Sequence, residues 1–335
     1  MLSSDNNKVV VTGASGFVGL ALCKQLLIQG YHITAVSRNS TQDLINHGIK
    51  IEKLDISSDF ENLVKVFKGA NCVFHVASKV DMWGPYKDFY QANVIGTENV
   101  LAACRAADVK YLVYTSSPSV VADGSNLCGI NESYPIPEQH HANYPATKAQ
   151  AEKIVLSSNS QELKTLALRP HLIFGPGDRH FIPTILARAK QGRLKIIGSG
   201  ENLVDVCFIE DCVNAHIDAM NSLLNNPNCA GKAYFISQGQ PIKLWDFINK
   251  VLELNNIKTI TFKVPKSMAF FLASVFELIS KVLPIATKPL FTKFLVSEMT
   301  TDHYFNIQAA KDDLGFKPTY SVYEALLKTF PAAHN

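Results

Sequence analysis

The segment KVVVTGASGFVG at residues 8–19 constrains this chain more than any other stretch. A β-branched run, Val9-Val10-Val11, breaks directly into Gly13-x-x-Gly16-x-x-Gly19 and then into an apolar helical pattern, so it reads as strand, tight turn and helix. In such a unit Gly13 makes the turn, Gly16 lets the backbone approach a pyrophosphate, and Gly19 lets the helix pack on the strand. The phosphates then meet the free N–H groups and the positive end of the helix. Glycine-rich βα turns that bind nothing also exist. Here the strand before, the helix expected over 17–29, and Gly30 placed as its C-cap favour dinucleotide binding.

Downstream, strand patterns at 31–37, 49–54, 71–77, 111–117 and 163–168 alternate with helical patterns at 60–67, 86–107 and 144–157. That alternation predicts an α/β fold with a doubly wound parallel sheet, a Rossmann domain. The second half is less regular, with Pro and Gly clusters at 175–177, 198–200 and 239–241. The expected division is therefore a nucleotide-binding domain over 1–174 and a smaller, mixed α/β substrate lobe over 175–335, some of whose segments return to the sheet. With 335 residues, 47% of them hydrophobic, the chain can bury cores for both. Its 32 basic and 29 acidic residues are spread without a basic block, which argues against a nucleic-acid partner. The seven cysteines lack metal-ligand spacing, so no metal is expected, and their odd, scattered set reads as reduced thiols in the cytoplasm. The polar start, residues 1–7, carries no signal-peptide pattern.

The end of the second strand bears on the cofactor. An acid there would hold the adenosine ribose of NAD, whereas a basic residue suits the 2′-phosphate of NADP. Ser37 stands where the acid is sought and Arg38 follows it, so NADP is expected, with NAD possible. The competing reading of Arg38 is a solvated surface arginine. Asp55, ending the third strand, is placed either to meet the adenine edge or to cap the next helix.

Two later motifs carry chemistry. Ser117 closes the strand-end run Tyr114-Thr115-Ser116-Ser117-Pro118-Ser119, and Tyr144-Pro145-Ala146-Thr147-Lys148 opens a helix. Tyr144 and Lys148, four apart, project from one helical face. An ammonium there is expected to lower the tyrosine pKa toward neutrality and make it a usable proton donor and acceptor. A Ser117 hydroxyl at the carboxyl edge of the sheet is placed to hold a carbonyl or alkoxide oxygen.

With these motifs in this order the chain resembles the extended short-chain dehydrogenase/reductases. Further points of resemblance are His75-Val76-Ala77-Ser78, Asn93-Val94-x-Gly96-Thr97, Leu168-Arg169-Pro170 and the tail Ala309-Ala310-Lys311-x-x-Leu314-Gly315-Phe316-x-Pro318. The resemblance implies that Gly13, Gly16 and Gly19 bind the pyrophosphate, with Ser15, Phe17, Ser37, Arg38, Asp55 and Ala77 along the cofactor. It also implies that Ser117, Tyr144 and Lys148 form a catalytic triad, Lys148 holding the nicotinamide ribose, that Asn93 orders the site, and that the backbone at Pro170 meets the nicotinamide. Within the family the chain is most similar to the 3β-hydroxysteroid dehydrogenase branch. Trp83-Gly84, residues 114–121, the run 169–178 and residues 230–237 resemble its bacterial reductases of 2-alkyl-3-oxoalkanoates, and sterol-4α-carboxylate dehydrogenases share several of these stretches. Hydride transfer at the β carbon of a lipophilic acid is implied, as is the family's usual homodimer.

His171, Arg179, His180 and Arg188 are candidates for meeting a substrate carboxylate. Residues 267–283 predict an amphipathic helix with a wide apolar face, set to wall a long apolar pocket with Phe270 and Phe271, to serve as a core helix, or to touch a membrane surface peripherally. It is too short and too charged for a span. Two other functional classes compete with the oxidoreductase: a nucleotide-sugar epimerase or dehydratase with tightly held NAD, and a non-catalytic NADP-responsive protein. Arg38 and the lipophilic second lobe count against the former, as does Pro118-Ser119 where dehydratases carry an Asp-Glu pair. The intact Ser-Tyr-Lys set counts against the latter.

Overall fold

In the computed structural model, which describes residues 7–282, 289 and 291–331, the chain begins with β1 (Lys8–Thr12), whose valines are fully buried. It continues through α1 (Phe17–Ile28), β2 (His32–Ser37), α2 (Gln42–Asn46), β3 (Lys50–Lys53), α3 (Phe60–Phe67) and β4 (Cys72–His75). Next come α4 (Tyr86–Phe89), a π-helical turn over Tyr90–Ile95, α5 (Gly96–Ala106), β5 (Tyr111–Thr115), β6 (Leu127–Ile130), α6 (Asn143–Ser157) and β7 (Lys164–Pro170). The remaining chain gives β8 (Ile173–Phe174), α7 (Phe181–Lys190), β9 (Ile196–Ile197), β10 (Leu203–Val204), β11 (Cys207–Phe208), α8 (Ile209–Asn225) and β12 (Ala233–Ile236). It ends with β13 (Ile242–Lys243), α9 (Leu244–Leu254), β14 (Lys263–Val264), α10 (Lys266–Val282), α11 (Lys293–Glu298), β15 (His303–Phe305), α12 (Gln308–Leu314) and α13 (Val322–Thr329).

Seven strands form one parallel sheet in the order β12-β7-β5-β4-β1-β2-β3. This is the doubly wound Rossmann-like arrangement the alternation predicts. From β1 the chain first builds outward through β2 and β3, then crosses to β4 and builds the other way. The strand order therefore reverses between β1 and β4, and the crevice beyond their carboxyl ends is where such sheets bind ligands. Residues past 174 contribute to the same layers: β12 pairs in register with β7, and α8 packs on α1, β5 and β7. The outer lobe holds a second sheet, β13-β10-β15-β6, and the pair β14-β9.

Two local expectations are corrected. The pattern over 86–107 reads as one regular helix, but its middle is a wide π turn. A 3.6-residue period cannot register one inserted residue. Asp55 does not cap α3. Its carboxylate accepts from the Ser57 N–H at 2.9 Å and the Ser57 hydroxyl at 2.7 Å, closing a turn, and Asp59 takes the position before the helix. Residues 1–6, part of the segment read for a signal peptide, and Leu283 at the end of the 267–283 helix lie outside the described residues.

Candidate active site

The turn after β1 is built for close approach. Gly13 has φ +69°, and a Cβ there would fall 2.6 Å from the Ala77 backbone, so the ends of β1 and β4 nearly touch. A Cβ on Gly19 would lie 2.3 Å from the Gly13 carbonyl oxygen, which is why α1 can pack so tightly on its own strand. No side chain caps α1 and no acid stands in its first turn, so its N-terminal partial charge is available to an anion. Those features fit a dinucleotide pyrophosphate. Ser15 and Phe17 are half-buried in the same turn, and the Ala77 N–H donates to Thr12 Oγ1 at 3.3 Å.

At the adenosine end, Ser37 is buried and donates to the Asn39 carbonyl, while Arg38 is exposed. Burial raises the Asp55 carboxyl, but the two Ser57 donors and the Arg38 guanidinium outweigh it and hold the group below its usual range. Arg38 and Asp55 thus share one edge of the crevice. Arg179 belongs here too, 4.0 Å from the Asp43 carboxylate of α2.

At the carboxyl ends of β5 and β7, Ser117 is half-buried and its Oγ accepts from the Ser119 hydroxyl at 2.9 Å and the Ser119 N–H at 3.2 Å. Tyr144, in the first turn of α6, is half-buried. Burial raises its phenol, and the Ser117 side chain, within hydrogen-bonding reach, pulls the other way without cancelling the rise. The expectation that Lys148 brings this phenol toward neutrality is corrected. Lys148 shares the helical face but turns inward to the sheet, where its ammonium donates to the Tyr114 phenol and to the Thr115 carbonyl, both at 2.7 Å. It also stands 4.2 Å from the Tyr114 ring centroid. Only 1% exposed, it is pushed down to about 7 by burial, against the pull of Glu152 one turn further along.

Behind the lysine runs a buried polar chain that motif reading does not reveal. His75 joins Thr12 Oγ1 at 2.8 Å to Thr97 Oγ1 at 2.9 Å, and Thr97 donates to the Asn93 carbonyl at 2.6 Å. Burial and the Lys148 charge push the His75 imidazole down to about 3, so it sits neutral between the two hydroxyls. Asn93, carried by the π turn, accepts from the Lys79 N–H at 2.7 Å and donates to Thr147 Oγ1 at 3.1 Å, tying the loop after β4 to α6. Arg169 and Glu152 form a buried two-pronged ion pair at 2.9 and 2.5 Å, which anchors α6 to β7 just before Pro170. The signal for this pair was present, since Glu152 stands four residues past Lys148 and Arg169 directly precedes Pro170. Nothing in the sequence joins them.

Farther out, α7, α10 and the β9–β14 pair enclose a cavity of about 470 Å³. Its walls are Ile197, Val264, Ala269, Leu272, Phe276 and Phe291, and its cations are Arg188, Arg193 and Lys195. The helix expected at 267–283 does wall an apolar pocket, but through Ala269, Leu272 and Phe276. Phe271 points to solvent at 68% exposure and Phe270 is not among the lining residues. Of the four carboxylate candidates only Arg188 lines this cavity. His171 is buried against His303 at 2.7 Å, and His180 is exposed.

Comparison with known proteins adds the following. The sequence profile of the 3-beta hydroxysteroid dehydrogenase/isomerase family matches residues 10–264. The chain is 37% identical over 333 residues to a 2-alkyl-3-oxoalkanoate reductase of Shewanella oneidensis, covering 97% of this chain and 86% of that one. It is 34% identical to a mouse (Mus musculus) sterol-4-alpha-carboxylate 3-dehydrogenase, decarboxylating, over 99% of this chain and 92% of that one. Among solved structures, MoeE5 in complex with UDP-glucose and NAD superposes with a TM-score of 0.73 at 23% identity, over 96% of this chain and 97% of that one, a likeness of fold.

Proposed function

From the premise that this chain belongs to the 3-beta hydroxysteroid dehydrogenase/isomerase family, and is thus an NAD(P)-dependent short-chain dehydrogenase/reductase acting on a CH–OH/C=O pair, we propose that it reduces the 3-oxo group of a lipophilic β-oxo acid, with NADPH preferred. The observation that carries the substrate class is the cavity under α10, apolar with Arg188, Arg193 and Lys195 in its lining; Ser117, Tyr144 and Lys148 are not part of that lining, so the reading takes the cavity as a site for the alkyl chain beyond the reacting carbons. Similarity to a 2-alkyl-3-oxoalkanoate reductase supports the same reading.

When bound, the nicotinamide supplies the hydride at the carbonyl carbon. Tyr144 gives its proton to the carbonyl oxygen, and a phenol held above its ordinary pKa is fully protonated at neutral pH, the state reduction requires. Ser117 Oγ donates to the same oxygen as charge develops there. Lys148, fixed on Thr115 and Tyr114, presents its charge one helical turn from the phenolate that Tyr144 leaves. Arg38 at the adenosine edge supports the NADPH preference, as a charged donor for a 2′-phosphate.

The test is NADPH oxidation with a homologous series of 2-alkyl-3-oxo acids. Each added CH₂ should raise kcat/KM up to about fourfold until the cavity is full, the equivalent of about 0.8 kcal/mol. Phe276→Asp should flatten that slope. A flat series in the wild type, or turnover of nucleotide sugars with none of β-oxo acids, overturns the proposal, and a preference for steroid alcohols moves the substrate class to the sterol branch.

A further inference from the structure

Ser119 bonds to the same oxygen through which Ser117 would meet the substrate. A serine Oγ carries one proton and two lone pairs, so it accepts two hydrogen bonds and donates one. Pro118 has no N–H to offer, and as the buried first residue of the 3₁₀ turn over Pro118–Val121 it fixes the φ from which the chain folds back. Two donors of Ser119 then converge on Ser117 Oγ, the N–H at 3.2 Å and the hydroxyl at 2.9 Å. On its other side Ser117 Oγ lies within hydrogen-bonding reach of the Tyr144 phenol.

The Ser119 N–H can only donate, and it takes one lone pair. That leaves one lone pair and one proton on Ser117 Oγ for two neighbours, so the chain of hydroxyls runs in one of two directions. In the first, Ser119 donates to Ser117, and the Ser117 proton points to Tyr144 or to a carbonyl oxygen placed between them. The phenol proton then stays available to that oxygen as well. In the second, Tyr144 donates to Ser117 and Ser117 donates to Ser119, so a carbonyl oxygen entering the site meets no donor.

We propose that Ser119 is a positioning residue, whose hydroxyl donates into Ser117 Oγ and so turns the Ser117 and Tyr144 protons toward the reacting oxygen. It acts through Ser117 and touches no reacting atom itself. This inference rests on the roles given above to Ser117 and Tyr144, and not on the length of the substrate's alkyl chain. Filling both lone pairs of Ser117 leaves the phenol proton nowhere to go but the substrate. Where dehydratases carry an Asp-Glu pair, this turn has a residue without an N–H and a second hydroxyl, a set that orients protons but holds no carboxylate base to take one from carbon.

The test is a double-mutant cycle on NADPH-dependent reduction by the full chain, comparing wild type, Ser119→Ala, Ser117→Ala and the double variant. Ser119→Ala should lower kcat about two- to tenfold, the worth of one neutral hydrogen bond, with KM and the NADPH affinity in fluorescence titration unchanged. The turn should stay capped, because the Ser119 N–H remains. In the Ser117→Ala background the same substitution should change nothing, since the oxygen it acts on is gone. Ser119→Thr keeps the hydroxyl and should restore kcat. An equal loss in both backgrounds, a loss confined to KM, or a threonine variant that folds as the wild type does yet is as slow as the alanine one would each overturn the proposal. The cycle is read on whichever carbonyl compound the wild type reduces, a 2-alkyl-3-oxo acid or a 3-oxosteroid, so failure of the substrate reading and failure of this one are told apart.

Discussion

Replacing Tyr114 with phenylalanine isolates one oxygen atom in the middle of the site. The ring that packs beneath Lys148 stays, and so does its contact with the ammonium at 4.2 Å. What goes is one of the two oxygens, each 2.7 Å away, to which Lys148 donates. A hydrogen bond from a charged donor is worth about 1.5–3 kcal/mol, and one pKa unit is about 1.36 kcal/mol, so the ammonium should titrate about one to two units lower. Burial already sets Lys148 at about 7. The sign follows directly: the lost acceptor stabilised the charged form, so its loss favours the neutral amine. On the proposed mechanism Lys148 serves the reduction as a cation, so the rate should fall as pH rises through the lysine pKa, and in the variant that falling limb should move down by the same one to two units. The titratable groups facing Lys148 are Tyr114, Glu152 and His75, and His75, at about 3, stays neutral across the range. The assay is kcat/KM for NADPH-dependent reduction across the neutral range, with circular dichroism to show an unchanged fold. An unmoved limb, or a loss of equal size at every pH, would refute the reasoning.

Three other outcomes follow from the same geometry. Tyr144→Phe should keep the fold and NADPH binding and lower turnover about 10²- to 10⁴-fold, and retention of more than about a tenth of the wild-type rate would remove Tyr144 from the acid role. Arg38→Ala should weaken NADPH by about ten- to a hundredfold in fluorescence titration and leave NADH untouched; equal use of both cofactors by the wild type makes Arg38 a bystander. Glu152→Ala leaves the Arg169 guanidinium buried without its carboxylate and should cost about 3–5 kcal/mol in urea unfolding. An unchanged denaturation midpoint would show that the pair contributes nothing to stability.

The entry turn was legible because its constraints are local. Gly19 excludes a Cβ through the Gly13 carbonyl six positions earlier, and the positive φ of Gly13 asks for glycine whatever surrounds it, although the Ala77 backbone that also bars a Cβ there comes from 64 residues on. The parallel sheet was legible for a related reason, since apolar strands alternating with helices leave few other ways to bury both. Tyr114 was not. At a strand end it reads as a core aromatic, and the lysine it meets lies 34 residues away across the loop from β5 to α6. His75 likewise acquires its meaning from Thr12, 63 residues earlier, because β1 and β4 are neighbours only after the chain has crossed the sheet.

The Tyr144–Lys148 spacing shows where such reasoning stops. Four residues on a helix fix which face two side chains share, but not the direction in which a long side chain turns. In this site the sheet supplies a carbonyl and a phenol below the helix, and an ammonium taken out of water goes to the acceptors it can reach. The same limit governs α10. Its amphipathic pattern announces a wide apolar face, yet only packing separates Leu272 and Phe276, which wall the cavity, from Phe271 and Leu278, which face outward.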